Sequence, residues 1–271
     1  MALLPLLVAL SAPAAAQQVE SMLPVMDDLG ALITKLEGDG FQITDMTLGI
    51  AFEGAAPTIV PVPVGQDDNV MMVAVGDKDR IEDLDLLVYD DLGQLVGQDD
   101  MTDNTPIVGF QALRSGLYEA QVVVARSKAE FSGGFFSMVT SYPIGQMPIS
   151  TASPWQIART AVELLELEGY QVYHGEWETV MEEGATGFLL PLEAGRLCRA
   201  VAVGSPERAK KVRLHVVDGY NQPMGEAEHD GIYSVVDFFS TGDPNTMFVV
   251  QASKLKRKIT DTHAVVVVAC K

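Results

Sequence analysis

The sequence predicts a mainly β protein: two tandem jelly-roll-like antiparallel β-sandwiches, each preceded by one amphipathic α-helix. Three observations predict it. The chain matches itself at a nearly constant offset, each half opens with a helical apolar stripe, and each then turns into short β-type runs separated by turn residues. The self-match begins with Glu37–Ile43, EGDGFQI, which answers to Glu166–Val172, ELEGYQV, 129 positions on. Val70–Gly76, VMMVAVG, answers to Cys198–Gly204, CRAVAVG, at an offset of 128, and Leu84–Gly97 answers to Val212–Gly225 at the same offset, pairing Asp90 with Asp218. Ser127-Lys128 and Ser253-Lys254 stand 126 apart. Four matches in one order imply a duplication.

Taken in order, residues 1–16 carry no charged side chain. The run LLPLLVAL leads into Ala14-Ala15-Ala16, the pattern of a secretory signal cut after an Ala-x-Ala site, with the mature chain starting near Gln17. The first module covers 17–142. Its helix is read from Met22, Met26, Leu29, Ile33 and Leu36, one stripe followed by Gly38 and Gly40, with the methionines as core filler. Strands follow near 41–52, 58–64, 69–76, 84–89, 94–97, 106–111, 117–125 and 134–141, divided by turns at Gly65–Asp68, Gly76–Asp79, Asp90–Gly93 and Arg114–Gly116.

A linker spans 143–152, rich in Pro, Ser and Thr, and the second module covers 153–271. Its helix has Ser153 as expected N-cap, Pro154 at the first helical position, Ile157, Ala161, Leu164 and Leu165 on one face, and Gly169 as stop. Strands fill about 170–270. Val265–Val268 is apolar on both faces and so belongs in the middle of a sheet.

The two cysteines, Cys198 and Cys270, each lie in a β-run of the second module, where the first has Val70 and Ser141. In an exported chain one disulfide fastening the last strand is the simplest reading, and a free reactive thiol is the other.

Glu82–Asp90, EDLDLLVYD, followed by Gly93-Gln94-Leu95-Val96 and then Ser115-Gly116-Leu117-Tyr118, resembles the bacterial pre-peptidase C-terminal domain over about 57–142. That resemblance implies a small jelly-roll-like sandwich that accompanies secreted enzymes, is usually not catalytic, and sometimes binds substrate polymer or calcium. In the second copy Lys211 and Arg213 stand where Asp83 and Asp85 stand in the first, and Val217 replaces Tyr89.

Asp83 and Asp85 share one face of a strand, and Asp90 follows at its turn. The three are the candidate calcium ligands, against the reading of a solvated acidic strand face. The histidines, His174, His215, His229 and His263, show no close-pair spacing for zinc. The adjacent Glu182 and Glu183 point apart in a strand or turn, and no nucleophile elbow, phosphate loop or dinucleotide fingerprint is present. Trp155, Trp177, Phe238 and Phe239 offer either sugar-stacking surface or core.

The net charge of −19 excludes a phosphate-backbone partner such as nucleic acid. Residues 17–150 hold 21 acidic and 6 basic side chains, and 151–271 hold 16 and 12. The basic groups Arg208, Lys210, Lys211, Arg213 and Lys254, Lys256, Arg257, Lys258 suggest electrostatic docking between modules or between chains, or else ordinary Lys-rich turns. No run of about eighteen apolar residues could span a bilayer. The expectation is a non-catalytic exported protein, periplasmic or secreted, that binds or assembles with a protein or polymer. A hydrolase with an unrecognised site and a calcium-stabilised spacer are the alternatives.

Overall fold

A computed structural model of the chain describes residues 21–144, 148–225 and 227–271, apart from the side chains of Glu228 and His229. The leader expected at 1–16 and the middle of the expected linker lie outside the described residues. The first half runs α1 (Leu23–Gly38), β1 (Phe41–Phe52), β2 (Thr58–Val64), β3 (Asn69–Gly76), β4 (Ile81–Tyr89), β5 (Leu95–Asp99), β6 (Ile107–Gln111), β7 (Gly116–Ser127) and β8 (Gly133–Pro143). The second runs α2 (Ala152–Leu167), β9 (Gln171–Met181), β10 (Ala185–Leu189), β11 (Leu197–Gly204), β12 (Ala209–Val217), β13 (Ala227–Asp230), β14 (Tyr233–Phe239), β15 (Met247–Leu255) and β16 (Asp261–Cys270). The chain is mainly β, as its alternating patterns predict.

The two halves share a sheet. Nine strands join in the order β13-β14-β11-β16-β9-β1-β8-β3-β6, and two smaller sheets, β2-β7-β4-β5 and β10-β15-β12, cover one side of it. Each half repeats the same antiparallel pairings, β1 with β8 as β9 with β16, and β4 with β7 as β12 with β15. The seam is the pair β1 and β9, where Thr47 lies opposite Glu176 and Leu48 opposite Gly175. Thr47 and Glu176 are 129 positions apart, the offset of the sequence repeat, so a local twofold axis passes between them. Gly175 is required there: a Cβ would sit 2.7 Å from the Leu48 side chain. The copies differ at one strand, since β5 pairs with β4 in a small sheet whereas β13 pairs with β14 in the large one.

Alternation along the strands divides the interior into three cores. Inward residues of β4 and β7, such as Leu84, Leu86, Val88, Ala120 and Val122, close the first sandwich, and Val212, Leu214, Phe248 and Val250 close the second. The opposite face of the large sheet meets both helices in a third core: Met22, Met26, Leu29 and Ile33 of the first half pack with Trp155, Ala158, Val162, Val265 and Val267 of the second. β16 is therefore buried on both faces, as its Val265–Val268 run predicts.

The helices cap each other. Glu37, at the end of α1, accepts from the Thr151 amide at 2.6 Å and its hydroxyl at 2.8 Å, while Glu166, at the end of α2, accepts from the Met22 amide at 2.8 Å and the Ser21 hydroxyl at 2.7 Å. The expected cap at Ser153 is thus corrected to Thr151. A carboxylate from the other half meets the amide and hydroxyl of the N-cap residue Thr151 and sets negative charge at the helix start, so the helix begins two residues earlier without a side-chain cap of its own. Trp155 Nε1 also donates to the Met26 carbonyl, 3.1 Å, and Arg159 pairs with Asp27. Glu37→Ala or Glu166→Ala should each lower stability by about 1 kcal/mol, the usual worth of a cap. Urea unfolding of the two single variants checks this, and equal losses are expected from the symmetry.

Candidate functional site

On β1 and β9 the residues that enter the helical core leave their neighbours pointing to the other side, into the valley between the two small sheets. A register shift between Ile43 and Asp45 re-aims Asp45 in that direction. Asp45, Glu176 and Glu178 form the floor of a cleft of about 360 Å³. Its walls are the edge strands β2, through Pro61 and Pro63, and β10, through Thr186 and Phe188. Proline supplies no backbone donor, which keeps the β2 edge from pairing with a further strand.

The floor is tightly bonded on the β9 side. Glu176 Oε2 lies 2.7 Å from His174 Nε2, and Oε1 accepts from the Thr47 hydroxyl at 3.3 Å. Glu178 accepts from the Thr186 hydroxyl at 2.7 Å. The His174 ring leans on Phe188, centroids 5.0 Å apart. Burial, followed by the charges of Glu176 and Glu178, pushes the Asp45 carboxyl well above its ordinary range, and only the Met46 amide works against this. Glu178 is also pushed up, chiefly by burial and further by Glu176, with the Thr186 hydrogen bond opposing. Three carboxylates thus line one cleft between Pro61 and Pro63 on one side and Thr186 and Phe188 on the other, with His174 bonded to Glu176 beside it. Partly desolvated carboxylates of this kind suit an organic cation such as an ammonium or guanidinium group, or proton exchange. The signal available in the sequence was His174-x-Glu176-x-Glu178, three polar groups on one strand face. Its partner Asp45 lies in the other repeat, and nothing local announces that the two strands pair.

The candidate calcium ligands do not come together. Asp83 and Asp85 stand on the outer face of β4, but Asp90 is buried at the strand end, about 16 Å beyond Asp85 at strand rise. Asp90 Oδ1 accepts from the Leu92 and Gln94 amides, 3.0 and 2.8 Å, and Asp218 Oδ1 does the same for Tyr220 and Gln222, 3.0 and 2.8 Å. The matched aspartates therefore close the same turn in each copy. Gly93 and Asn221 supply the left-handed residue, φ +74° and +60°. Burial, with Asp83, Asp100 and Asp99 nearby, raises Asp85 above its ordinary value, and Asp83 Oδ1 is buried without a hydrogen-bond partner. Among the described residues no group of three or more His, Cys, Asp or Glu is placed to hold a metal ion.

Cys198 and Cys270 are register partners on β11 and β16 and form a disulfide. Trp155, Trp177 and Phe238 are core residues, and only Phe239 of the four aromatic candidates is exposed. Among the described residues no helix is long and apolar enough to cross a membrane.

No protein-family model matches the chain, and no curated protein matches it. Solved structures that match include the PBSX exported protein XepA, at 12% identity and TM-score 0.26, covering 87% of this chain and 88% of that one. YhaK from Escherichia coli matches at 10% identity and TM-score 0.20, covering 83% and 85%, and vicilin from hazelnut, Corylus avellana, at 9% and 0.20, covering 85% and 75%. Likenesses this distant establish neither a family nor a function.

Proposed function

We propose that the chain is an exported, non-catalytic binding protein, periplasmic or secreted, whose seam cleft receives a cationic segment of a protein or polymer. The observation that carries this is the cleft floor: Asp45, Glu176 and Glu178 line one cleft, and a positive group placed among them relieves their mutual repulsion. The Ala-x-Ala leader pattern and the disulfide support an oxidising compartment outside the cytosol. The likeness of 57–142 to the pre-peptidase C-terminal domain supports a module without chemistry of its own.

Calorimetric titration of the protein with an oligolysine peptide and with a neutral glycine-serine peptide tests the reading. Binding of the cationic peptide alone is expected, weakened at least about tenfold, or 1.4 kcal/mol, by Glu178→Gln. Equal binding of both peptides, or no loss in the variant, overturns it. The same site predicts a stability gain. Because the folded Asp45 carboxyl is raised above its unfolded value, its ionisation opposes folding at neutral pH, and that penalty disappears as the pH falls below the ordinary carboxylate value. Asp45→Asn should therefore be more stable than the parent near neutrality and no more stable in acid, which urea unfolding at the two pH values checks. A catalytic reading has the His174–Glu176 hydrogen bond beside Glu178 in its favour. Hydrolysis of a glycan or ester substrate that Glu176→Gln abolishes would replace the binding reading.

A further inference from the structure

The fold sets two oppositely charged surfaces side by side. Both helices lie on one side of the large sheet and both small sheets on the other, so the outer faces of the small sheets look the same way. On the first, Asp83 and Asp85 project from β4, with Asp99 and Asp100 at the end of β5 beside them and Arg126, paired with Glu82, at the rim. On the second, at the equivalent strand, Lys211 and Arg213 project from β12, with Lys254 of β15 opposite Lys211 and the exposed Lys256–Lys258 turn beyond. The inward residues between them, Leu84 and Leu86, Val212 and Leu214, fill the two cores, so alternation leaves these charged side chains on the outside.

The patches cannot satisfy each other within one chain. β4 and β12 lie over opposite flanks of the nine-stranded sheet, β4 over β3 and β12 over β11 and β14. Five strand spacings separate β3 from β11, which is about 24 Å and well beyond a Debye length. The halves instead meet through β1, β9 and the helices. Of docking between modules and docking between chains, only the second remains open to these patches. Asp83 Oδ1 and, two residues along on the matching strand, Arg213 Nε are both buried without a hydrogen-bond partner. The same faces carry exposed apolar side chains, Ile59 at 54% and Leu117 at 57% on the first and Leu189 at 58% on the second.

We propose that two copies of this chain associate face to face through the outer surfaces of their small sheets, the Asp83 and Asp85 patch of each resting on the Lys211 and Arg213 patch of the other. A twofold axis lying parallel to the faces, between the two patches, brings acid onto base at both ends in a single operation. The contact is therefore isologous and closes at two. Seven strands of about 25 Å length at 4.8 Å spacing present roughly 800 Å² per copy, the size of a stable interface. The net charge of −19 per copy opposes the approach at low salt. At about 0.1 M salt that long-range repulsion is screened beyond about 10 Å, while the facing patches still attract. The seam clefts open on the same face between the patches, so the contact covers them and a ligand bound there competes with the second copy. The contact itself rests on the paired charges of β4 and β12 and not on that ligand.

A charge exchange tests the contact by light scattering after size exclusion. The parent is expected at twice the monomer mass at about 0.1 M salt and as monomer at about 0.5 M. Asp83→Lys with Asp85→Lys makes both faces basic, and Lys211→Asp with Arg213→Asp makes both acidic, so each double variant alone should be monomeric. Mixed in equal amounts, the two should recover the mass of two copies, which misfolded variants could not do. A parent that stays monomeric at all concentrations, dimeric double variants, a mixture that fails to associate, or an open series of higher masses overturns the proposal.

Discussion

Replacing Cys198 and Cys270 with alanine should lower the stability of the protein by about 4 kcal/mol, the chain-entropy value for a bridge that closes a span of 72 residues. In a chain of this size that corresponds to a fall in Tm of roughly 10 °C. The bridge joins β11 to β16 across a hydrogen-bonded ladder that runs from Cys198 opposite Cys270 to Gly204 opposite Ala264, so the ladder itself still forms without it. The fold should persist in the variant, with unchanged far-ultraviolet circular dichroism and an earlier unfolding transition. A Tm within about 2 °C of the parent would mean that the ladder and the surrounding core already restrict the unfolded chain as much as the bridge does.

The second large effect is a loss of stability on acidification, traced to His263. Its ring is buried, stacked on Trp177 with centroids 4.9 Å apart, and its Nδ1 lies 3.2 Å from the Thr179 hydroxyl. Burial, followed by the Arg208 charge and opposed by Asp261, brings the imidazole down to about 4. A folded value below the unfolded one means that the unfolded chain takes up the proton first. The stabilisation is complete above the ordinary histidine value of about 6.5 and is lost as the pH falls through about 4. The difference amounts to about 3 kcal/mol over that window. Urea unfolding followed between those limits should show a slope that His263→Gln flattens, whatever the variant does to the absolute stability. Asp45 and Glu178 have the opposite sign, so the slope of the parent is a sum, and the comparison with the variant isolates the histidine. A ring proton resonance of His263 that titrates near its ordinary value would contradict the assignment.

Most of the fold was legible because its determinants are local. Runs such as Thr58–Val64 alternate cleanly, the turn at Asp90–Gly93 carries its own Asx and glycine chemistry, and Val265–Val268 has no polar face, so strand, turn and central position each follow from a few neighbouring residues. The failures share a different cause. Ser153 was the best local cap, but Thr151 begins α2 because Glu37, more than a hundred residues away, reaches its amide. Likewise the cleft combines Asp45 with Glu176 and Glu178, and only the pairing of β1 with β9 brings them together. Asp83 and Asp85 were visible as a same-face pair. Their grouping with Asp90 was not sound, since that side chain is consumed by its own turn, and their actual companions, Asp99 and Asp100, come from the next strand.

The reciprocal caps also bear on how the two copies have been free to drift apart. Glu37 and Glu166, Ser21 and Ser150, and the aspartates of the shared turn have kept their chemistry at equivalent positions, because each serves a contact that the twofold repeats. On the outward strand faces the matched positions carry opposite charge, Asp83 and Asp85 in one copy and Lys211 and Arg213 in the other. A duplicated gene joined in this way cannot lose either half without uncapping the other. Its divergence is channelled to the surfaces that meet the outside world, and the contrast between retained and reversed positions records which parts of the molecule answer to itself and which to its surroundings.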